Sequence, residues 1–218
     1  MTRSLILSGG GAYADPWHPF AATSERIADV LAALGHHVEI SELVADRFAD
    51  LRGWDMIVVN AASGPQAADT SAAQAGLTAA LDRGLGVLAF HVGACTLLRL
   101  PEWESLTGAA WISGRSMHPK VGPGRIITYP GRHPICAPVA DFDITDERYA
   151  YLRTAPDIVP LAVHEHIGEL HPLLWARVRG KSRIVTDLLG HDERSYDSPE
   201  HRQLISRAAR WLTRTGAM

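Results

Sequence analysis

The sequence predicts an α/β fold, a mainly parallel sheet with helices on both faces. Three observations carry that prediction. Short unbroken apolar runs, Leu5 to Ser8, Met56 to Asn60 and Leu85 to Phe90, read as strands buried on both faces. Segments with apolar residues at helical spacing lie between them, and this alternation of strand and helix is the signature of a parallel sheet. The last of these runs then passes at once into Val92-Gly93-Ala94-Cys95, which can open a helix directly behind the strand. The residue on the turn is His91. Turns at the carboxyl ends of such strands line the ligand crevice, and a sharp one lifts a side chain clear of the sheet as a nucleophile elbow does.

Taken in order, Leu5 to Ser8 opens the chain and Gly9-Gly10-Gly11 permits a tight loop. These glycines lack the spacing and immediate helix start of a dinucleotide fingerprint, so no nucleotide cofactor is expected. Tyr13, Asp15, Pro16, Trp17 and His18 lead into a helix marked by Phe20, Ile27, Val30, Leu31 and Leu34, which Gly35 ends. Val38 to Ile40 is a second strand, with His36 and His37 at its amino end, away from the crevice and expected in solvent. Leu43 to Leu51 reads as a short helix, and Trp54 to Asn60 as a third strand by its β-branched run. Gln74 to Arg83 is a helix stopped by Gly84, feeding the strand before His91. From Pro101 the rhythm breaks. Trp103 to Ala155 is rich in proline and glycine, with Arg125 to Tyr129 and Asp141 to Ile144 as short strand candidates, and reads as an elaboration laid over the carboxyl edge of the sheet. Ile158 to Val163, Leu173 to Val178 and Arg183 to Leu189 are further strands, the last two a hairpin about Gly180. Pro199 to Thr213 is an amphipathic helix with Leu204, Ile205, Ala208, Trp211 and Leu212 inward.

With 218 residues, 46% of them hydrophobic, the chain can bury a full core, and residues 1–218 read as one domain. A net charge of -3 with scattered Lys and Arg offers no face for a phosphate backbone, so nucleic acid is not an expected partner. The apolar part of the first residues is too short for a signal peptide, and no window reaches the length of a membrane span. Two cysteines, Cys95 and Cys136, suggest free thiols in a reducing compartment, so a cytoplasmic location is expected. A homodimer is one arrangement open to such a domain. The unusual count is histidine, at eleven.

Seven short motifs occur in a particular order: Trp54-Asp55 leading the third strand, Phe90-His91 at the elbow, Met117-His118-Pro119, His133-Pro134-Ile135, Asp146-Glu147-x-Tyr149, Pro172-x-x-Trp175 and Gly190-His191-Asp192 after a strand. In these motifs, over nearly its whole length, the chain resembles ThuA-like (trehalose-utilisation) proteins, a branch of the class I glutamine amidotransferase-like superfamily. The resemblance implies a flavodoxin-like doubly wound sheet. It also implies a carbohydrate substrate class, trehalose, related disaccharides or their 3-keto forms. His91 stands where an amidotransferase carries its nucleophilic cysteine, which argues against glutamine hydrolysis. Cys95, one helical turn farther on, reads as a small buried helix residue.

His18, His91 and His191 each follow a strand, so parallel strands would deliver all three to one rim. His118 and His133 come from the covering segment and could close over it. Several imidazoles with a carboxylate suit zinc or another divalent ion. The expected ligand set is His91, His118, His191 and Glu147, with Asp192 behind it as an orienting group. Without a metal, His91, His191 and Glu147 still form an acid/base set that could remove the proton α to the carbonyl of a 3-keto glycoside and release the aglycone. Arg132 could then stabilise the enediolate. Trp17, His18, Arg132, His133, Tyr149 and Trp175 are the expected sugar contacts. His164 and His166 share one strand face and could bind jointly, but rank below the motif residues; His171 and His201 carry no signal. The reading is therefore a His-based or metal-assisted hydrolase or lyase. The competing classes are a non-catalytic sugar-binding or regulatory subunit and a residual amidotransferase-like activity through Cys95.

Overall fold

The structure is a computed structural model that describes residues 1–66, 69–97 and 100–216. The first half alternates as the apolar runs predict: β1 (Arg3–Ser8), α1 (Phe20–Ala33), β2 (His37–Ser41), α2 (Val44–Ala49), β3 (Met56–Asn60), α3 (Ser71–Arg83), β4 (Gly86–Phe90) and α4 (His91–Thr96). The second half holds α5 (Trp103–Thr107), β5 (Ala109–Ala110), β6 (Gly122–Thr128), β7 (Phe142–Asp146), β8 (Arg153–Thr154), β9 (Pro160–His166), β10 (Glu169–Arg179), β11 (Ser182–Asp187) and α6 (Pro199–Thr213).

Nine strands form one sheet in the order β2-β1-β3-β4-β11-β10-β9-β6-β7. The five strands from β2 to β11 run parallel. Their order is the flavodoxin one, 2-1-3-4-5, with β11 in fifth place. Leu5 to Leu7, Met56 to Val59 and Val87 to Phe90 are fully buried, because α1 and α6 cover one face of these strands while α2 and α3 pack together on the other. The order reverses between β1 and β3, and the crevice outside their carboxyl ends is where such sheets bind ligands.

The segment read as a covering elaboration lends Trp111, His118, Glu147 and Tyr149 to the cleft at that rim, and it also builds sheet. β10, β9, β6 and β7 continue from β11 as an antiparallel wing, and β5 pairs with β8 apart from it. The strand candidates Arg125 to Tyr129 and Asp141 to Ile144 overlap β6 and β7, and the Gly122-Pro123-Gly124 opening hides only the start of β6. The Arg148 guanidinium lies against the bare backbone of Gly124, and a Cβ there would displace it. Four antiparallel steps bring β7 back to the direction of β11, so β7 also ends at the carboxyl rim. A second correction concerns His36, which is buried with Nδ1 2.8 Å from Ser4 Oγ, while His37 is exposed. No helix among the described residues is long and apolar enough to cross a membrane.

Candidate metal and active site

Four turns at the carboxyl rim, after β1, β4, β7 and β11, supply His18, His91, Glu147 and His191. One ligand atom from each lies within 4.8 Å of all the others, so the four could hold a metal ion. Each is held locally. Asp15 accepts the N–H groups of Trp17 (2.9 Å) and His18 (3.0 Å), folding the loop so that the His18 ring meets the same carboxylate at 2.7 Å. A carboxylate only accepts, so His18 Nδ1 carries the proton and Nε2 keeps its lone pair. His91 sits on the elbow with φ +43, and Gly93 behind it lets α4 press onto β3, where a Cβ would come within 3.1 Å of the Val59 carbonyl oxygen. His91 Nδ1 donates to the Leu188 carbonyl at 2.8 Å, which again leaves Nε2 as the free nitrogen. Asp146, the last residue of β7, accepts the N–H of Glu147 at 2.7 Å and that of His191 at 3.1 Å. It thereby joins the β7 end to the turn after β11, although three strands separate them in the sheet.

Glu147 Oε2 lies 3.3 Å from His91 Nε2 and 3.5 Å from His191 Nδ1, while Oε1 meets His118 Nδ1 at 2.9 Å. His18 Nε2, His91 Nε2 and His191 Nδ1 are buried yet have no hydrogen-bond partner. Buried polar atoms ordinarily find partners. The bonds at Nδ1 leave the His18 and His91 nitrogens without a proton, and with His191 Nδ1 they face one another and a carboxylate; three imidazoles with one carboxylate are a donor set that zinc accepts. The electrostatics favour a ready ligand at His18 and Glu147, and a proton at His191 that a metal would displace. Burial, together with the nearby His91, lowers His18 to about 4, so it is neutral and ready to ligate at pH 7. Burial would raise the Glu147 carboxyl, but His191 and His91 override it and hold it well below the ordinary carboxylate range. Burial likewise opposes a charge on His191, and Glu147 overrides it, raising that pKa.

The cluster lies at the side of a cleft of about 850 Å³, within the ~300–1,000 Å³ of small-molecule sites. Trp17, 72% exposed, stands on its lining together with Trp111 and His118. Tyr149 also borders the cleft and is otherwise buried, its ring stacked on that of His91 at 4.3 Å.

Several expected positions are corrected. His118 is outside the converging four: its side chain is 39% exposed and turned to the far oxygen of Glu147 and to the Pro119 carbonyl, and His18 occupies the place expected of it. His133 packs against Trp211 at 4.9 Å, and Arg132 lies over the Tyr129 ring and donates to the Pro160 carbonyl at 2.9 Å. Trp175 is fully buried, its indole N–H bonded to the Thr107 carbonyl at 2.7 Å. None of these three borders the cleft. Asp192 is taken by Arg194, and the orienting carboxylates are Asp146 and Asp15, both missed in the sequence. Asp146 had a signal, since it directly precedes Glu147 in a motif. His164 and His166 do share a face with His171, but His164 Nε2 is bonded to the Tyr149 carbonyl at 2.9 Å. His171 Nδ1 accepts the Tyr151 N–H at 3.3 Å, so its neutral ring keeps the proton on Nε2 and offers no lone pair there. Cys95 and Cys136 are both free and buried, and burial pushes the Cys95 thiol far up, away from the thiolate a nucleophile needs.

The sheet order and the strand-to-helix elbow define a glutamine amidotransferase-like fold. A glutamine amidotransferase from Thermotoga maritima superposes with a TM-score of 0.57, at 8% identity, over 98% of this chain and 99% of that one. Within that class the chain belongs to the ThuA family, described as trehalose utilisation, whose pattern matches residues 5–212. A ThuA-like protein from Parabacteroides merdae ATCC 43184 is similar with a TM-score of 0.81 and 16% identity, over 97% of this chain and 90% of that one. A second, from Bacteroides uniformis ATCC 8492, has a TM-score of 0.74 and 17% identity, over 97% and 91%. At such identities these likenesses are of fold. Among curated proteins, none matches the chain.

Proposed function

We propose that the protein is a metal-assisted enzyme acting on a sugar or keto-sugar, by hydrolysis or by elimination of an aglycone. The observation that supports it best is the set of three unpartnered, buried imidazole nitrogens facing Glu147 beside an aromatic-lined cleft. Zinc or another divalent ion held by His18, His91, His191 and Glu147 would supply Lewis acidity toward a sugar oxygen. The remaining residues divide the work. With His91 and His191 committed as ligands, the acid/base role passes to His118, which stands partly exposed and bonded to Glu147 Oε1. An imidazole open to water can take the proton α to a carbonyl, or one from a sugar hydroxyl, and exchange it with solvent. Trp17 and Trp111 offer flat faces to a pyranose ring, and Tyr149 shields the His91 face from water. The family's description as trehalose utilisation supports a carbohydrate substrate. Two buried free thiols suit the reducing cytoplasm.

The test is elemental analysis of protein purified without chelator, followed by incubation with trehalose and 3-keto disaccharides and chromatographic detection of the released sugar. One divalent ion per chain, with turnover lost in His118→Asn but metal retained, is the expected result. Metal-free protein that is also inactive with added zinc would overturn it. Sugar binding without turnover would favour a binding subunit.

A further inference from the structure

The turn after β11 serves the cluster twice: the Leu188 carbonyl fixes the His91 proton, and His191 ends the turn. It has no regular structure of its own between residues 188 and 192, and two buried carboxylates fasten it. Asp187 Oδ1 accepts the Leu189 N–H at 3.1 Å. Asp146 accepts four donors: the N–H groups of Glu147 (2.7 Å), Gly190 (2.8 Å) and His191 (3.1 Å), and the Ser195 hydroxyl (2.6 Å). That fills the roughly four acceptor sites a carboxylate has.

Ser195 and His201 join the two carboxylates. His201 Nδ1 is 3.0 Å from Ser195 Oγ and 3.2 Å from the Ser195 carbonyl, and Nε2 is 3.2 Å from Asp187 Oδ2. The Ser195 hydrogen is committed to Asp146, so its oxygen can only accept from His201, and Nδ1 carries a proton. Nε2 faces a carboxylate that also only accepts, so it carries one too. Asp146, Asp187, Ser195 and His201 are each at most 1% exposed, and the rings of Phe90 and Tyr196 flank the imidazole. Burial alone would strip the second proton; Asp187, with Asp146 and the Ser195 carbonyl, overrides it.

We infer that His201 is a buried imidazolium that positions the turn after β11, through Asp187 on one side and Ser195 and Asp146 on the other, and so sets the spacing of His91, Glu147 and His191. It is a positioning residue, about which the motifs are silent. The metal readout below rests on the proposed metal site; the hydrogen-bond geometry does not.

The experiment has two arms. Nitrogen-resolved NMR of the histidine rings in metal-free protein at pH 7 should give His201 with both nitrogens protonated; a neutral His201 ring overturns the inference. In the second arm, Co²⁺ is titrated into wild type, His201→Asn and Ser195→Ala, with the visible spectrum as readout. The variants should bind about 10–100-fold more weakly with an altered spectrum, the effect typical of losing a group behind a metal ligand. His36→Asn, a buried histidine at the opposite rim, controls for general destabilisation and should bind Co²⁺ as wild type does. Equal losses in all three variants overturn the inference. If wild type itself takes up no Co²⁺, the metal proposal fails alone. The positioning role is then read from the amide signals of Glu147, Gly190 and His191, which must move in Ser195→Ala, and unmoved signals overturn it. Should His201→Asn fail to fold, Ser195→Ala carries both readouts.

Discussion

The Leu188 carbonyl oxygen lies 2.8 Å from His91 Nδ1, and that one bond decides which nitrogen of the elbow histidine faces the cluster. Because it leaves Nε2 unprotonated, His91→Ala should abolish binding of one metal ion per chain, measured by elemental analysis. His91 is buried rather than exposed at the rim, so the truncation also costs about 1–3 kcal/mol in urea unfolding. The positive φ at this position favours glycine. His91→Gly should therefore be less destabilised than His91→Ala, by on the order of 1 kcal/mol.

Asp15 acts on His18 as Leu188 acts on His91. Asp15→Asn replaces an obligate acceptor by a group that can also donate, freeing the His18 ring to change tautomer. Metal affinity by competition with a chromogenic chelator should fall about 10–100-fold, with secondary structure unchanged by circular dichroism.

Acid should destabilise the metal-free protein. Burial lowers both His18 and His164 to about 4. At these two positions the unfolded chain, with histidines near ~6.5, binds more protons than the folded one between pH 6.5 and 4. The stability these two contribute is complete above about pH 6.5 and drains away as pH falls toward 4. Urea midpoints should drop between pH 7 and pH 5, and His164→Gln should flatten that slope. An unchanged slope would show that His164 is not neutral in the folded protein.

Trp17 is the exposed aromatic of the cleft and makes few core contacts. Trp17→Ala should leave the thermal midpoint and metal content as in wild type. Disaccharide binding by calorimetry should weaken about 2–10-fold, the value of one aromatic contact, and monosaccharide binding less.

Cys95 should resist thiol reagents under native conditions and react only after denaturation, because its sulfur is fully buried and burial opposes the thiolate. Rapid labelling of the folded protein at Cys95 would restore a nucleophile to the elbow region.

The parallel half of the sheet was legible because β1, β3 and β4 are apolar without interruption, and strands buried on both faces write that run into the sequence. The same argument sent His91 and His191 to one rim, since parallel strands end on one side. His118 and His18 could not be ranked that way: what separates them is the Asp15 turn, a local hydrogen-bond pattern that spacing does not encode. Trp175 looked like a sugar platform because an aromatic at a motif position reads the same whether buried or exposed. His201 was passed over, yet it falls on the stripe His201, Leu204, Ile205, Ala208, Leu212, the buried face of α6. A polar residue at helical spacing within an apolar stripe is a buried group in need of partners, and that signal was available.

β11 is the last strand along the described chain, yet it sits in the middle of the sheet between β4 and β10. As the chain leaves the ribosome, everything before residue 182 can collapse while β4 still presents an open backbone edge, a template for mispairing with another chain. The insertion of β11 closes that gap and, in the same event, brings Leu188, His191 and the Asp146 partners into place. Uptake of the proposed metal ion would therefore follow the insertion of β11. A chain cut before β11 would lack both the closed sheet and His191, so occupancy of the proposed metal site would distinguish finished molecules from folding intermediates.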